Sequence, residues 1–501
     1  MFRKVLIANR GEIARRLVLA CHELGITAVA IYSDADAEAP WVRLADERYN
    51  LPGVSATETY LNQTAVLDIA TACGAEAIHP GYGFLSENAA FAAACAERGI
   101  AFIGPGPEAI DLMGSKAKSR EIAEQAGVPI VPGVDGAGMS AAALQTAVSH
   151  IEYPILIKAS AGGGGKGMRV VWSADEFADA VQAARSEAQN SFGDDHVLVE
   201  KYFTEIHHVE IQVLGDQHGN VLHLFERECS IQRRHQKIIE ETPAPVIQDD
   251  DLRQRMAAAA VSLAKAVNYS SAGTVEFIVD EKGGFYFLEM NTRLQVEHPV
   301  TELVTGVDLA VWQIRIASGE RLPFGQDDIQ QRGHAIECRV YAEDPANNFL
   351  PSIGEITRYE RPSGPGIRVD DGIESGTAVS PYYDPMLAKV ITWGHSREEA
   401  IGKMVRALQQ TVVLGVTTNI PYLLAILQEP TFCSGHTSTS YLQQIFPNWQ
   451  PEALDDDGWL GAAVFELLQG GGKKVGTAVT ATESNAYDPW GETAVWRNVR
   501  R

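Results

Sequence analysis

Residues 3–32 read RKVLIANRGEIARRLVLACHELGITAVAIY, and their pattern determines the fold class. The apolar run at 3–8 has the length of a buried strand, and residues 12–24 place apolar side chains at helical spacing. Gly25 ends that helix, and a second apolar run of strand length follows at 26–32. A strand, a helix and a strand in this order predict parallel strands and an α/β fold.

The composition excludes several classes of partner. The chain has 501 residues, of which 45% are hydrophobic and 21% charged, with a formal net charge of −24. This acidic balance argues against nucleic acid and against an anionic membrane surface as partners. Apolar runs stay well below the roughly 18 residues of a membrane span, and the six cysteines form no C-x-x-C pair. We therefore expect a cytoplasmic protein in a reducing compartment.

Changes in pattern along the chain predict its domains. Strand–helix alternation continues to about residue 103, prolines and glycines mark a boundary near residue 132, and the character changes again after residue 446. The predicted segments are an N-terminal doubly wound domain (1–113), a linker helix (114–133), a small unit (134–203), a larger mixed domain (204–446) and an appendage (447–501).

A glycine loop connects two predicted strands at 154–159 and 168–172. It reads Gly162-Gly163-Gly164-Gly165-Lys166-Gly167. A dinucleotide-binding turn requires a helix directly after it, and a Walker loop requires Ser or Thr after its lysine, so neither motif fits. A glycine hairpin with exposed backbone N–H groups and a cation can instead close over phosphates as a lid. Because four adjacent glycines are costly in folding entropy, a functional loop is favoured over a plain surface hairpin.

Two carboxylates are predicted to face each other on a hairpin at 273–291, GTVEFIVDEKGGFYFLEMN. If residues 281–284 form the loop, the register places Glu276 opposite Glu289; a two-residue turn would shift the register and keep the face. Like charges in this arrangement destabilise a sheet unless a cation lies between them. Oxygen ligands suit Mg²⁺ on nucleotide phosphates, and Asn291 adds another on the same face. That third oxygen favours a metal site over two solvated glutamates.

Basic residues concentrate around this hairpin in an otherwise acidic chain. The run QRRHQK at 232–237 is predicted to be a loop that follows a strand ending at Glu226, a usual position for site residues. Arg293 lies two residues beyond Asn291 and adds a cation beside the predicted metal site.

Two further predicted strands carry polar faces. Arg339 shares one face of strand 334–341 with Glu337, and His208 shares the polar face of an earlier strand with Glu210. Each feature taken alone is also typical of a solvated strand face, so the argument depends on their combination.

Together these features resemble the biotin carboxylases, a branch of the ATP-grasp ligases. The most specific strings are HPGYGFLSEN at 79–88, EMNTRLQVEHP at 289–299, QRRHQK at 232–237 and ECR at 337–339. The resemblance covers residues 1 to about 446. It implies a Rossmann-like (pre-ATP-grasp) N-terminal domain, an ATP-grasp lid at 134–203, an ATP-grasp core at 204–330 and a C-terminal biotin carboxylase domain at 331–446.

The resemblance also implies roles for individual residues. The implied ATP-binding residues are Lys116, Lys158, Gly162, Gly163, Gly164, Gly165, Lys166, Gly167, Met168, Glu200, Lys201, Phe203, His208, Gln232 and His235. Mg²⁺ or Mn²⁺ is implied at Glu276, Glu289 and Asn291. The residues implied to hold bicarbonate are Lys237, Arg293, Gln295 and Val296. Glu297 is implied to be the general base, and Arg339 to stabilise the enolate-like form of biotin.

The implied activity is ATP-dependent carboxylation of biotin by bicarbonate through carboxyphosphate. It would be the first half-reaction of an acetyl-CoA or other acyl-CoA carboxylase, as in fatty acid biosynthesis. The alternatives are the biotin carboxylase subunit of a pyruvate carboxylase, a different ATP-grasp ligase such as a carbamoyl-phosphate-synthetase-like enzyme, and an inactive ATP-binding regulatory subunit. The strings around Glu297 and Arg339 argue against a different ligase, and the full set of catalytic residue types argues against an inactive subunit.

The implied partners are a biotin carboxyl carrier protein, carboxyltransferase subunits and a second copy of the chain. Arg16, on the first predicted helix, matches an interface position of dimeric family members. Carrier domains of the family present biotin on the lysine of a Met-Lys-Met hairpin, and none of the eight methionines forms that triplet. We therefore expect the biotinylated lysine on another polypeptide.

Overall fold

The computed structural model describes residues 1–159, 168–192, 195–234 and 236–452, together with residues 458, 460, 461 and 464. Residues 1–450 form one compact unit. Most of the predicted appendage, the glycine loop at 162–167 and His235 lie outside the described residues. Within them, no helix combines the length and the apolar character needed to cross a bilayer.

A parallel five-stranded sheet forms the N-terminal domain, and it confirms the α/β prediction. Its order is β3-β2-β1-β4-β5, and every neighbouring pair is parallel. The strands are β1 (Lys4–Ile7), β2 (Thr27–Ser33), β3 (Glu47–Leu51), β4 (Ala77–His79) and β5 (Ala101–Phe102). The helices are α1 (Gly11–Glu23), α2 (Pro40–Leu44), α3 (Gln63–Cys73), α4 (Ala89–Glu97), α5 (Pro107–Gly114) and α6 (Lys116–Gln125). Strand β3 was not predicted, because its polar residues follow the pattern of a half-exposed edge strand.

A small antiparallel sheet follows, in the order β6-β9-β7-β8. Its strands are β6 (Gly133–Asp135), β7 (Ile155–Ala159), β8 (Arg169–Val171) and β9 (Val197–Lys201), and its helices are α7 (Ala141–Ala147) and α8 (Phe177–Phe192). Phe177 and Val181 of α8 pack on Ile155 and Ile157 of β7, which gives this unit a core of its own. Strands β7 and β8 pair directly, so the glycine loop connects the two strands of a hairpin, as predicted.

The largest sheet has eight strands in the order β14-β13-β10-β11-β12-β15-β22-β20. The strands of this region are β10 (Ile206–Gly215), β11 (Val221–Arg233), β12 (Gln236–Thr242), β13 (Ser271–Asp280), β14 (Phe285–Asn291), β15 (His334–Tyr341), β16 (Glu343–Asp344), β17 (Leu350–Pro351), β18 (Gly354–Glu355), β19 (Arg358–Glu360), β20 (Ile367–Asp371), β21 (Ala378–Val379), β22 (Met386–Gly394) and β23 (Val412–Leu414). The helices are α9 (Asp250–Ala266), α10 (His298–Thr305), α11 (Leu309–Ala317), α12 (Arg397–Gln410), α13 (Ile420–Leu427), α14 (Pro430–Ser434) and α15 (Tyr441–Ile445). Pairing of β12 with β15 makes the predicted core and C-terminal segments one continuous sheet.

The hairpin β13–β14 contains a β-bulge that the sequence analysis did not predict. Glu276 pairs with Glu289 as predicted, but Phe277 already pairs with Phe287, so Leu288 is the extra residue. A bulge of one residue reverses the alternation of side chains. Phe287 therefore faces the core together with Met290, and not the side of Glu289 as the uninterrupted pattern required.

The basic run at 232–237 is not a loop after a strand that ends at Glu226. Strand β11 continues to Arg233, and β12 begins at Gln236. Most of the run therefore lies in paired strands: Gln232 pairs with Lys237, and Arg233 pairs with Gln236. The strand prediction was too short because Arg227 and Glu228 are charged and yet buried, which a hydrophobicity pattern does not reveal.

Candidate active site

A cleft of about 940 Å³ lies between the N-terminal domain and the large sheet. Residues 9–13, which lead into and begin α1, and the loop at 82–84 form one wall. Strand residues of the large sheet, the loop after β14 and residues 382–384 line much of the rest. The predicted site residues that line it are His208, Gln232, Lys237, Glu276, Glu289, Asn291, Arg293, Gln295, Val296 and Arg339. The fold thus collects in one cavity residues that are more than a hundred positions apart in the chain.

Lys237 lies at the centre of a group of carboxylates. Its Nζ is 2.6 Å from Glu210 Oε2, 2.9 Å from Glu276 Oε1 and 2.6 Å from Glu297 Oε1. Burial alone would lower the pKa of Lys237, but these three carboxylates hold it well above its ordinary value. The ammonium group therefore remains protonated, and its strand β12 directs it into the cleft.

Glu297 connects Lys237 to Arg339. It precedes helix α10, and because its side chain does not cap that helix, the carboxylate is left to the cations. Arg339 on β15 donates from Nη2 to Glu297 Oε2 at 3.0 Å. Burial would raise the pKa of Glu297, but Lys237 and Arg339 hold it well below its ordinary range. This carboxylate is consequently ionised between two cations.

A second, deeper ion pair fixes Glu210. Arg227 is completely buried and donates from Nε to Glu210 Oε1 at 2.6 Å. Its two terminal nitrogens donate to Gln212, Thr301 and Thr274 at 2.7–3.1 Å. A buried ion pair requires such additional hydrogen bonds to offset the loss of hydration. Arg227 therefore supports the group that holds Lys237.

The predicted metal ligands lie together, but their polar atoms differ in environment. Glu276 Oε1 accepts hydrogen bonds from Asn291 Nδ2 and Gln295 Nε2, each at 2.9 Å, and Glu276 Oε2 is 2.8 Å from His208 Nε2. Asn291 Oδ1 accepts a hydrogen bond from Arg293 Nη2 at 3.0 Å.

The Glu276–Glu289 pair nevertheless fits a divalent cation. Partial burial and the charge of Glu276 raise the pKa of Glu289. A cation between the two carboxylates would remove this repulsion. Oxygen ligands of this kind are those that Mg²⁺ and Mn²⁺ prefer.

The predicted nucleotide-binding residues lie on the small sheet and its border with the large one. Lys158 Nζ is 2.5 Å from Glu200 Oε2, so these two side chains form an ion pair. Lys201 donates to the carbonyl oxygens of Glu152 and Tyr153, and its ammonium is therefore committed to the backbone. The ring of Phe203 lies 5.0 Å from that of Tyr286.

The remaining nucleotide-binding predictions are exposed residues or lie outside the described residues. Lys116 is an exposed residue at the start of α6, and Met168 is exposed directly after the glycine loop. Gly162, Gly163, Gly164, Gly165, Lys166, Gly167 and His235 lie outside the residues that the structure describes.

Two residues of the site had no predicted role. Glu87 accepts from Arg293 Nε at 2.9 Å and from the Thr292 amide at 3.1 Å, and it joins the N-terminal domain to the loop after β14. Glu240 Oε1 accepts from Arg339 Nε at 2.6 Å. The sequence did contain a signal for Glu240: Glu240 and Glu241 follow two isoleucines on β12. Consecutive carboxylates on a buried strand need partners on both faces of the sheet.

Comparison with known proteins identifies the family of the chain and its domains. Family models match over most of the chain: "Biotin carboxylase, N-terminal domain" at residues 1–110, "Carbamoyl-phosphate synthase L chain, ATP binding domain" at 115–324 and "Biotin carboxylase C-terminal domain" at 337–444. The biotin carboxylase of Nostoc sp. is 50% identical over 444 residues, which are 89% of this chain and 99% of that protein. A pyruvate carboxylase subunit of Methanothermobacter thermautotrophicus is 50% identical over 444 residues, which are 89% of this chain and 90% of that protein.

A solved structure shows the same fold. The biotin carboxylase domain dimer of Hydrogenobacter thermophilus 2-oxoglutarate carboxylase, in complex with MgADP, ADP and bicarbonate, superposes with a TM-score of 0.83. It is 49% identical and covers 90% of this chain and 100% of its own. The chain therefore belongs to the biotin carboxylase family, whose members are ATP-dependent ligases, and has the mixed α/β ATP-grasp fold of that family.

Proposed function

We propose that the chain carboxylates biotin, carried on a separate biotin carboxyl carrier protein, in a reaction that consumes ATP and bicarbonate. The observation that carries this proposal is the position of the buried carboxylate of Glu297, which lies 2.6 Å from Lys237 Nζ and 3.0 Å from Arg339 Nη2, two cations that line the cleft. Two cations can hold a small anion, and the carboxylate between them can accept its proton. The bicarbonate and MgADP bound by the Hydrogenobacter thermophilus domain support the proposal.

Bicarbonate would enter beside Lys237, Arg293, Gln295 and Val296, all of which line the cleft. A carboxylate stabilised by two cations is a weak base. When bicarbonate takes over hydrogen bonds from Lys237 and Arg339, Glu297 loses part of this stabilisation and its pKa rises. Binding of the substrate thereby prepares the base that removes its proton.

ATP would lie against Lys116, Lys158, Met168, Glu200, Lys201, Phe203, His208 and Gln232, with the glycine loop and His235 completing the set. Glu276 and Glu289, with Asn291, would hold Mg²⁺ or Mn²⁺. The bound cation would neutralise charge on the phosphates and orient them. Lys237 and Arg293 would offset the remaining charge around the γ-phosphoryl group.

The proposed reaction has two steps, formation of carboxyphosphate and transfer of its carboxyl group to biotin. A bicarbonate oxygen attacks the γ-phosphorus, the bond to the β-phosphate oxygen breaks, Glu297 takes the bicarbonate proton, and carboxyphosphate and ADP form. Carboxyphosphate divides into CO₂ and phosphate, and phosphate takes the N–H proton of the biotin ring. Arg339 stabilises the negative charge on the ring oxygen while the ring nitrogen attacks CO₂.

The proposal also concerns the molecule that finally receives the carboxyl group from carboxybiotin. We favour an acetyl-CoA or other acyl-CoA carboxylase, as in fatty acid biosynthesis, in which carboxyltransferase subunits receive the carboxybiotin. Relatives named for pyruvate and 2-oxoglutarate carboxylases are about equally similar, so those acceptors are the alternative. Affinity capture of the untagged partners from the native cell, followed by an assay of the captured carboxyltransferase with each acceptor, decides between them.

We also propose a cytoplasmic homodimer, since the Hydrogenobacter thermophilus domain is a dimer. Within the chain, Arg16 is buried, and its Nη2 lies 2.7 Å from Asp308 Oδ1 and 3.2 Å from Glu302 Oε1. These contacts leave little of Arg16 to a partner, so the interface would use its exposed neighbours on α1. Light scattering at micromolar concentration should give twice the mass of the chain.

The experiment that tests the activity measures ADP in the presence of ATP, Mg²⁺ and free biotin, with and without bicarbonate. We expect bicarbonate to be required for ADP formation, and carboxybiotin to appear. Dependence on ammonia would indicate a carbamoyl-phosphate-forming ligase. ATP binding without ADP formation in any of these mixtures would indicate an inactive subunit.

A further inference from the structure

Arg339 is held by two carboxylates, and the closer one has no role in the proposed reaction. Glu240 Oε1 lies 2.6 Å from both Nε and Nη2 of Arg339, whereas Glu297 Oε2 lies 3.0 Å from Nη2. Glu240 and Glu297 are completely buried, and Arg339 keeps 8% of its surface exposed. The guanidinium thus reaches the cleft while its inner edge is fixed by Glu240.

The two carboxylates differ in what the reaction does to them. Glu297 takes a proton from bicarbonate and becomes neutral, so its attraction for Arg339 falls at the point when biotin must be bound. Glu240 lies on β12, is not one of the residues that line the cleft, and exchanges no proton with the substrate in the proposed chemistry. A guanidinium held by Glu297 alone would lose its anchor in each cycle.

We propose that Glu240 is a positioning residue that keeps Arg339 directed at biotin while Glu297 changes its charge. This inference rests on the proposed function and adds a residue to it. Glu240 does not contact the reacting atoms. It acts through the guanidinium group of Arg339, which is proposed to contact biotin. It is therefore expected to affect carboxyl transfer to biotin more than cleavage of ATP.

The charges around Glu240 support this assignment. Burial raises the pKa of Glu240 to about 7; the guanidinium of Arg339 and the ammonium of Lys237 oppose this rise, and the charge of Glu297 adds to it. When Glu297 takes a proton, its contribution disappears and the pKa of Glu240 falls. Glu240 thus becomes more fully ionised when Arg339 has lost the charge of its other partner.

Glu337 is a second buried glutamate next to Glu240, and its protonation state affects the charge around Arg339. Glu337 on β15 is paired directly with Glu240 across the strands, and both are buried. Burial raises the pKa of Glu337 well above its ordinary value, opposed by Lys389 and increased by Glu240. Its two carboxyl oxygens have no hydrogen-bond partner among the described residues, which fits a neutral acid. Glu240, whose Oε1 accepts from Arg339, is therefore the more acidic member of the pair.

The chain offers a matched control at the next position. Glu241 is also buried on β12 and pairs with Arg397 at 2.6 and 2.9 Å, but it pairs in register with Ile336 and not with the cleft-facing residues. Glu241→Gln removes the same charge from the same strand and also breaks an arginine pair. A general effect of strand stability will appear in both variants, whereas loss of Arg339 positioning will appear only in Glu240→Gln.

The experiment compares the wild type, Glu240→Gln, Glu240→Asp and Glu241→Gln. It measures bicarbonate-dependent ADP formation, the ratio of carboxybiotin to ADP, and KM for biotin. We expect Glu240→Gln to lower the ratio about tenfold and to raise KM for biotin, because a charge-assisted hydrogen bond becomes a neutral one. Glu240→Asp keeps the charge and should recover part of the loss, while Glu241→Gln should match the wild type in ratio and in KM.

An unchanged ratio and KM in Glu240→Gln, or an equal change in Glu241→Gln, overturns the proposal. If Glu240→Gln does not fold, as judged by its melting curve, Glu240→Asp decides: wild-type KM and ratio in that variant would overturn the positioning role. Failure of the proposed function is distinguishable, since the wild type itself would then form no ADP in response to bicarbonate.

Discussion

Glu276 and Glu289 are direct neighbours across the β13–β14 hairpin, yet only the first of them is bound by Lys237, at 2.9 Å. Glu276 is buried between Lys237 and His208, while Glu289 is an exposed residue next to the bulge at Leu288. The two carboxylates of the proposed metal site therefore make unequal contributions. In the proposed site both glutamates would hold the metal ion, and Glu276 also pairs with Lys237 and lies 2.8 Å from His208 Nε2.

This asymmetry predicts different results for the two glutamine variants. Glu289→Gln should leave the free energy of unfolding within about 0.5 kcal/mol of the wild type, as for exposed positions. Its turnover should fall at least about a hundredfold, because a ligand of the catalytic cation is lost. Urea unfolding and Mg²⁺ titration of ADP formation test both statements. Near-normal turnover at moderate Mg²⁺ would remove Glu289 from the metal site.

Glu276→Gln should impair both properties. Besides losing turnover, it should lower the free energy of unfolding by about 1–3 kcal/mol, since Lys237 and His208 lose the charge of a buried partner. The same urea experiment tests this. A stability equal to that of the wild type would show that these ion pairs contribute nothing net to folding.

Replacement of the proposed base and of Arg339 should separate the two half-steps. Glu297→Gln should reduce bicarbonate-dependent ADP formation about 10²–10⁴-fold, the usual range for a general base. Arg339→Ala should still form ADP but transfer less of the carboxyl group to biotin. Parallel assays of ADP and carboxybiotin measure this. A wild-type ratio of the two products in Arg339→Ala contradicts its role.

The stability contributed by Glu302 should depend on pH. Burial would raise the pKa of Glu302, but Arg16, His298 and Arg368 lower it to about 2, from an ordinary value of 4.5. Because the folded-state pKa is the lower one, the contribution is complete above about pH 4.5 and is lost as the pH falls towards about 2. Urea unfolding of the wild type and of Glu302→Gln should differ most near neutral pH and converge below about pH 4. A difference that stays constant over this range, or an equal trend in the exposed control Glu97→Gln, contradicts the assignment.

Biotin should not be attached to these 501 residues. Because they contain no Met-Lys-Met triplet, an avidin blot of the purified chain should be negative. A biotinylated carrier should be carboxylated faster than free biotin at the same concentration, since binding to the carrier adds contacts that orient the ring. Covalent biotin on this chain would refute the prediction.

Residues 3–32 and the hairpin at 273–291 show how much was predictable. Periodicity alone indicated the parallel sheet, and the alternation on the hairpin indicated that Glu276 and Glu289 lie opposite each other, although the register at the turn is shifted by one residue and the bulge at Leu288 restores the pairing. Both inferences concern residues close in sequence, where the backbone period determines which side chains share a face. The proposed roles of Glu297 and Arg339 came from family resemblance. These residues are 42 positions apart, and no local sequence pattern indicates that their side chains are in contact.

The features that the sequence did not predict have two physical causes. The bulge at Leu288 and the length of β11 depend on pairing with other strands, and buried charges such as Arg227 look like surface residues in a hydrophobicity pattern. Glu240 was missed for a related reason. Its partner, Arg339, lies 99 residues away and becomes its neighbour through the β12–β15 pairing.

The most direct test of the account follows the oxygen atoms of bicarbonate. If Glu297 prepares bicarbonate to attack the γ-phosphorus, one bicarbonate oxygen must remain on phosphorus when carboxyphosphate divides. Wild-type protein supplied with ¹⁸O-labelled bicarbonate, ATP, Mg²⁺ and free biotin should therefore release inorganic phosphate that carries one ¹⁸O. The assay is stopped before the bicarbonate loses its label to water through CO₂, and the phosphate is analysed by mass spectrometry. Glu297→Gln should release little labelled phosphate. Unlabelled phosphate formed at the full rate by the wild type would show that water attacks ATP, and it would contradict the proposed function of the cleft.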